Sequence, residues 1–481
     1  MTRINTNVAA LQAGRNLASS QRALQLSLER LSTGLRINRG ADDPAGLIIS
    51  ENLRSEIEAV GQAISNSQRA SNVIATTEGA LNEVAALLND IQSLIIEAAN
   101  EGAVSQAEIE ANQLQIDKAI DSITRIANTT TFGGRKLLNG SLGYVTSGVT
   151  PGELTDLRIS NVQFGTAPFI PVEVNVLQSA QHAELRFLNS SISEDVTLEI
   201  AGPDGVVSIS LQSGSTATQI RAAINLQKDA TGISASFVNS ANPASGVILN
   251  SRTFGSNAFV QIEELGTTTQ PFISFTENIN GDTVKRAAGR DIAATINGAS
   301  GLGNGLELSL NTSTLGLEFK IQEQFNNVGT TTFSVTGGGA RFQLGPGVDT
   351  NQQVNIGVDS VAATRLGNDT IGFLQEVKSD EQYSLVNGQF QRAAAILKEA
   401  IAQVSILRGK LGSFEKNTLD TNVNQLRITL ENLTASESSI RDLDFATETA
   451  ALTRNQILVS AGTSILALAN QTPQTVLSLL Q

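Results

Sequence analysis

NLASSQRALQLSLERLSTGLRINRGADDPAG (16–46) decides how this chain is read. Leu17, Leu24 and Leu31 recur every seven residues, and Leu28 and Leu35 fill the alternate steps of four and three. Such a repeat keeps one stripe facing a partner helix over many turns. The periodic stretch predicts a single helix over 4–34, about 45 Å long at roughly 1.5 Å per residue. It stops at GLRINRGADDPAG (34–46). There Asp43 followed by Pro44 reads as a helix start, a carboxylate cap before a proline in the first turn.

Working outward, a second helix is expected from Pro44 to Asn100. Its apolar positions are Ile57, Ile64, Val73, Ile74, Leu81, Val84, Leu88, Ile91 and Ile95. A break at Glu101-Gly102 precedes a third helix over 106–128. The far end of the chain mirrors the first. Phe445, Leu452, Val459 and Leu466 are again seven apart, and 390–434 is periodic before a last joint at SESSIRDLD (436–444). Helices before and after the middle can pack as an antiparallel bundle.

The middle is rich in Gly, Thr, Ser, Asn and Val. VEVNVL (172–177) and ELRF (184–187) alternate with period two and read as strands. TATQIRAAIN (216–225) and AGRDIAATIN (288–297) align as an internal repeat. Each is read as a short helix carrying Ile220/Ile224 or Ile292/Ile296, followed by strand-like runs, and together they suggest a duplicated module spanning 216–262 and 288–321. The expected architecture is multi-domain: coiled-coil helices at the termini, a helical rod, and a β-rich, α+β insert.

Composition narrows the function. The chain has 481 residues, a formal net charge of −14, no Cys, no Trp and one His. The acidic balance argues against nucleic acid and anionic membrane surfaces. Zero Cys removes disulfides, thiolate chemistry and Cys-ligated zinc. No apolar run approaches a membrane span, and the first twenty residues lack the apolar core of a cleaved secretory leader. His182 has no HExxH partner, GASGLGNG (298–305) is not a phosphate loop, and no catalytic, cofactor or metal residues are expected.

Several runs together resemble bacterial flagellin, the subunit of the flagellar filament. They are INTNVAAL (4–11), ERLSTGLRIN (29–38), ADDPAGLIIS (41–50), TTEGALNE (76–83) and FGGRKLLNG (132–140). At the back they are LRGKLGSFEKN (407–417), NLTASESSIRDLDFATETA (432–450) and LTRNQILVSAGTSILALANQTPQTVLSLLQ (452–481). FQLGPGVDTNQQVNIGVDSVAATRLG (342–367) is similar to the β-hairpin strip of the family's rod, and the insert repeats to a short motif of flagellin and hook-associated inserts.

The resemblance implies a terminal core domain (1–40 and 441–481) that forms as a coiled coil in the filament. Around it would lie a rod (41–145 and 341–440), and outside that a variable domain (146–338). It implies self-assembly into a helical homopolymer for motility, export by the flagellar type III apparatus, and partners among the cap and hook-associated proteins and an export chaperone. A hook–filament junction protein is the alternative, as is a filament subunit whose insert also binds surfaces or carbohydrate. Leu17, Leu24, Leu28, Leu31, Leu35, Phe445, Leu452, Val459 and Leu466 are the expected subunit-packing residues. The bland alternative pairs the two stripes inside one chain. Asp42, Asp43, Pro44 and Gly46 form a helix start that the family places between stacked subunits. Many flagellins meet a vertebrate Toll-like receptor through an Arg and a Glu framed by two Leu. Here Leu88 and Leu94 keep the frame, but Asp90, Ser93 and Gln115 stand at the contact positions, which implies weak or no activation.

Overall fold

The computed structural model describes residues 6–265, 275–277, 284–312 and 314–478. Its helices are α1 (Val8–Thr33), α2 (Pro44–Ala98), α3 (Gln106–Thr129), α4 (Ala217–Leu226), the single turn α5 (Lys228–Thr231), α6 (Phe390–Phe414), α7 (Thr421–Arg441) and α8 (Phe445–Ser478). The first helix starts later than its periodicity predicts, because the Asn7 side chain accepts the Ala10 N–H at 3.0 Å and caps it there. The periodic run 390–434 is not one uninterrupted helix. A π-helical stretch, Glu415–Asp420, separates α6 from α7.

Compactness divides the chain differently from the core–rod–insert expectation. One unit holds Met1–Ala70, Gln343–Gln352 and Lys416–Gln481, and the other holds Ser71–Phe342 and Gln353–Glu415. The first division therefore falls inside α2 rather than near residue 40.

In the first unit α1 and α8 run antiparallel. Asn7 Nδ2 donates to Ala469 O at one end, and Arg30 faces Glu448 towards the other. The first part of α2 lies beside α7, with Val60 and Ala63 packed around Leu426 and with Asn422 Nδ2 donating to Ser67 Oγ at 3.1 Å.

In the second unit the remainder of α2 buries Ile74, Leu81, Val84, Leu88, Ile91 and Ile95, a stripe of alternating three- and four-residue steps. α3 buries Ile109, Ile116, Ile120 and Ile123, and α6 buries Ile396, Leu397, Val404 and Leu411. Ser71 is hydrogen-bonded to Glu415, and Glu78 faces Arg408 at 3.9 Å, so α6 lies antiparallel to α2. The segment 377–385 is tied onto α3 through Gln113, which donates to Val377 O and accepts from Leu385 N.

The insert is two nested β-sandwiches. The outer one pairs a five-stranded sheet around Ile170–Gln178 and Gly329–Gly338 with a four-stranded sheet around Glu307–Asn311 and Leu315–Ile321. Val172, Val174, Val176, Leu308, Leu317 and Phe319 fill its core. Between Gln178 and Ala293 the chain builds the second sandwich, two four-stranded sheets enclosing Leu185, Phe187, Leu198, Ile200, Val247 and Leu249. Ile220 and Ile224 of α4 close that core.

The duplicated module is therefore not there. The first copy forms α4 followed by the strand Ile233–Phe237, as expected. The second forms strands, Ala293–Ile296 hairpinned to Ala299–Ser300, with Ile292 and Ile296 in the outer core. The reason is local. Asn297 and Gly298 adopt φ of 50° and 80°, and an Asn-Gly pair with both residues left-handed is the tight hairpin turn that ends a strand and breaks a helix.

Candidate functional site: the terminal helix pair and its joint

The α1–α8 seam is built from two interleaved heptads on each helix. On α1, Leu17, Leu24 and Leu31 are half-buried and alternate with Ala13, Ser20 and Ser27. Ala13 and Ser27 are the buried members. On α8, half-buried Leu452, Val459 and Leu466 alternate with Glu448, Asn455 and Gly462. Large residues on one line thus meet small ones on the other. A Cβ placed on Gly462 would lie 3.2 Å from Leu17 Cδ1, so the backbone of α8 rides directly on that leucine. Two polar layers set the register: Asn455 Nδ2 donates to Ser27 Oγ at 3.3 Å, and Arg30 sits 3.7 Å from Glu448, which is 9% exposed.

This arrangement corrects part of the expectation. Leu17, Leu24 and Leu31 belong to a seam closed within the chain by Leu452, Val459 and Leu466. Leu28 does not: it is 50% exposed, because the alternate heptad line falls on Ala13, Ser20 and Ser27. Leu35 lies beyond α1, in an antiparallel bridge with Asp442, and Phe445 is exposed at the start of α8. Glu448, Asn455 and Gly462 were legible as a seven-residue spacing, but a search for apolar residues passes over them.

A second apolar face remains uncovered. Ile457, Leu458, Ile465 and Leu468 lie within about 100° of one another around α8, each between 47% and 64% exposed, and Val8 and Leu11 are likewise open on α1.

The joint holds the two crossings together. Arg36 N donates to Arg441 O at 2.7 Å and Leu443 N to Gly34 O at 3.0 Å. Arg36 Nη2 reaches Ile440 O, and Arg441 pairs with Glu51 at 3.1 Å. Asp42 accepts the N–H groups of Asn38 and Arg39, and these bonds, Arg39's first, hold its carboxyl below the usual range. Asp43 caps α2 by accepting the Gly46 N–H at 2.9 Å. Gly46 sits close under this cap, where a Cβ would crowd the Asp43 carboxylate and stand 2.8 Å from Ile37 Cδ1, so that both side chains would have to shift. Asp444 caps α8 through the Thr447 hydroxyl and the Thr447 and Ala446 N–H groups, which keep its carboxyl low.

The expected receptor positions separate. Asp90, Ser93 and Gln115 are exposed and Leu94 half-buried, whereas Leu88 is fully buried and positions α2 rather than presenting a contact. His182 stacks on Phe254 at 3.7 Å and its Nδ1 lies 3.1 Å from Thr253 O, a packed strand residue.

A pair of long terminal helices locked in register, with no catalytic cluster beside them among the described residues, is the architecture of a structural protein. Family comparison agrees. Residues 4–142 match the bacterial flagellin N-terminal helical region, 394–480 the C-terminal helical region, and 195–253 the flagellin hook IN motif. A B-type flagellin of Pseudomonas aeruginosa is 33% identical, and the polar flagellin F of Vibrio parahaemolyticus 30%, each aligned over 99% of both chains. The chain belongs to the bacterial flagellin family, a family of structural proteins, and is a subunit of the extracellular flagellar filament that drives motility. Among solved structures, the flagellar junction protein FlgL from Legionella pneumophila covers 82% of this chain and 99% of its own at 11% identity. Its TM-score of 0.28 is too slight to bear on the fold.

Proposed function

We propose that the open face of α8 is the surface through which subunits polymerise, with the α1–α8 seam as its scaffold. One observation carries this reading: Ile457, Leu458, Ile465 and Leu468 are exposed on one side of a helix whose other side is already paired. Each of the four is already about half covered, so burying the rest is worth about half of the ~1.5–3 kcal/mol of a full burial. Neighbours related by a non-closing operation extend such contacts into a helical filament. Before assembly the pair is marginal, because α1 fully buries only Ala13 and Ser27. The joint at Asp42, Asp43, Pro44 and Gly46 fixes where the pair leaves α2, and so how one subunit stacks on the next. Export through the flagellar type III apparatus, capture by a chaperone, and contacts with cap and hook-associated proteins follow from the family and belong to this proposal.

The test is Ile465→Asp. The residue is 58% exposed, so the unassembled chain tolerates the charge. Seeded polymerisation should yield no sedimentable filament while the thermal unfolding of the second unit is unchanged. A normal yield of filaments would assign assembly to another surface.

A further inference from the structure

The insert's sheets end in edge strands, and among the edges whose full length is described all but one are guarded. An unguarded edge offers a row of free N–H and C=O groups to another strand. Three edges, Arg286–Ala288, Ala299–Ser300 and Leu302–Asn304, are only two or three residues long. Tyr144–Ser147 is irregular, its register against Gly329–Gly338 shifting at Val335/Gly337. Leu154–Val162 carries two register shifts, a left-handed Asp156 and the charged Arg158. Ile233–Phe237 is covered from α4: Asn225 Nδ2 donates to Ala235 O and Asn225 Oδ1 accepts from Ala235 N, both at 2.8 Å.

Val206–Leu211, VVSISL, has α4 and α5 lying beside it but, among the described residues, no irregularity and no side chain capping its edge. It is six residues long, pairs without a shift along Val196–Ala201, and contains no charge, Pro or Gly. It is the last strand of its sheet, and among the described residues no backbone hydrogen bond reaches it from beyond Val196–Ala201. Val206, Ser208 and Ser210 are exposed on its outer face.

We propose that this edge pairs with the same edge of a second copy, antiparallel across a two-fold, joining two four-stranded sheets into one of eight. A second copy is the fitting partner for two reasons. Filament assembly holds many copies at high local concentration. And two chains of net charge −14 can meet along an uncharged strip without opposing like charges. Such a contact is isologous, so it would join the outer regions of two soluble chains or of two neighbouring filaments, independently of the terminal helices.

The chain has no Cys, which makes a cross-link diagnostic. In antiparallel pairing, residues directly opposite share a face, so position 208 meets 208 or 210 of the other copy. Full-length Ser208→Cys/Ser210→Cys should form a disulfide-linked dimer on mild oxidation, and the guarded-edge control Ser236→Cys should not. Ser208→Lys/Ser210→Lys, checked for an unchanged melting temperature, should weaken self-association of the soluble chain at least tenfold in sedimentation equilibrium, while seeded polymerisation proceeds. Cross-linking no greater than in the control, or self-association unaffected by the lysines, would overturn the proposal. Neither readout depends on the terminal helices assembling.

Discussion

Arg30 and Glu448 form a charged layer in the terminal helix pair, guanidinium to carboxylate at 3.7 Å, with side chains only 24% and 11% exposed. One turn further along, Ser27 meets Asn455. Polar layers of this kind cost stability and fix register, since any slip strands a charge against apolar neighbours.

Arg30→Met should therefore lower filament stability by about 1–3 kcal/mol, between the exposed and the fully buried ion-pair cases. Arg30→Met/Glu448→Leu should recover most of that loss. The check is a double-mutant cycle on the thermal depolymerisation of sedimented filaments. Equal losses in the single and double variants would show that the pair is not coupled.

Asp156 offers a pH-dependent test in the second unit. Its backbone is left-handed, at φ 52°, and burial pushes its carboxyl above the ordinary value, against the opposing pull of Arg158. A carboxyl raised in the folded state costs stability once ionised. The penalty is absent below the unfolded value of 3.8 and complete above the folded one. Asn tolerates left-handed backbone as well as Asp does. Asp156→Asn should thus raise the melting temperature at pH 7, with the gain shrinking to nothing as pH falls below 3.8. Calorimetry across that range decides it.

The insert should be removable. Its first and last strands pair, Val145 opposite Gly337 and Tyr144 opposite Gly338, so the two ends of the excision are neighbours in one sheet. Directly opposed residues stand about 5 Å apart. A chain lacking 146–338, closed with a short Gly/Ser linker, should keep the helical circular dichroism of the rest and still form filaments under electron microscopy. Folded but non-polymerising protein would show that the insert takes part in assembly.

How much of this was legible in the sequence depends on how local the signal was. The ends and the start of α2 were readable because their causes lie within a few residues: a seven-residue repeat, and Asp43 before Pro44. The alternate line of the seam was misplaced onto Leu28, because the packing there is of small residues against leucine, which hydrophobicity does not mark. The second repeat was misread for a different reason. DIAATIN has helical spacing, but the Asn297-Gly298 turn and the partner strand Ile170–Gln178 decide it, and only the turn was visible locally. The nesting of one sandwich inside another was not readable at all, since it rests on pairings such as Gln181 with Arg290, far apart in the chain.

The vertebrate Toll-like receptor that binds many flagellins should recognise this chain poorly. Asp90 and Ser93 project from one exposed stretch of α2, where the Ser93 hydroxyl donates to Asp90 O at 2.8 Å, and Gln115 is exposed on α3. Leu88 is buried in the core, so the helix is held in place whatever occupies the exposed positions. The family's activating pattern has Arg where Asp90 stands and Glu where Ser93 stands. Reversing a charge that faces a receptor acceptor removes one ion pair and opposes two like charges, a loss of about 2–5 kcal/mol in binding, or roughly thirtyfold to several thousandfold. Monomeric protein should therefore activate receptor-reporter cells weakly or not at all. Asp90→Arg/Ser93→Glu changes only exposed residues and should raise potency by at least tenfold with an unchanged melting temperature. Nanomolar potency from the native chain, or a double variant no stronger than the native chain, would show that these positions do not govern recognition.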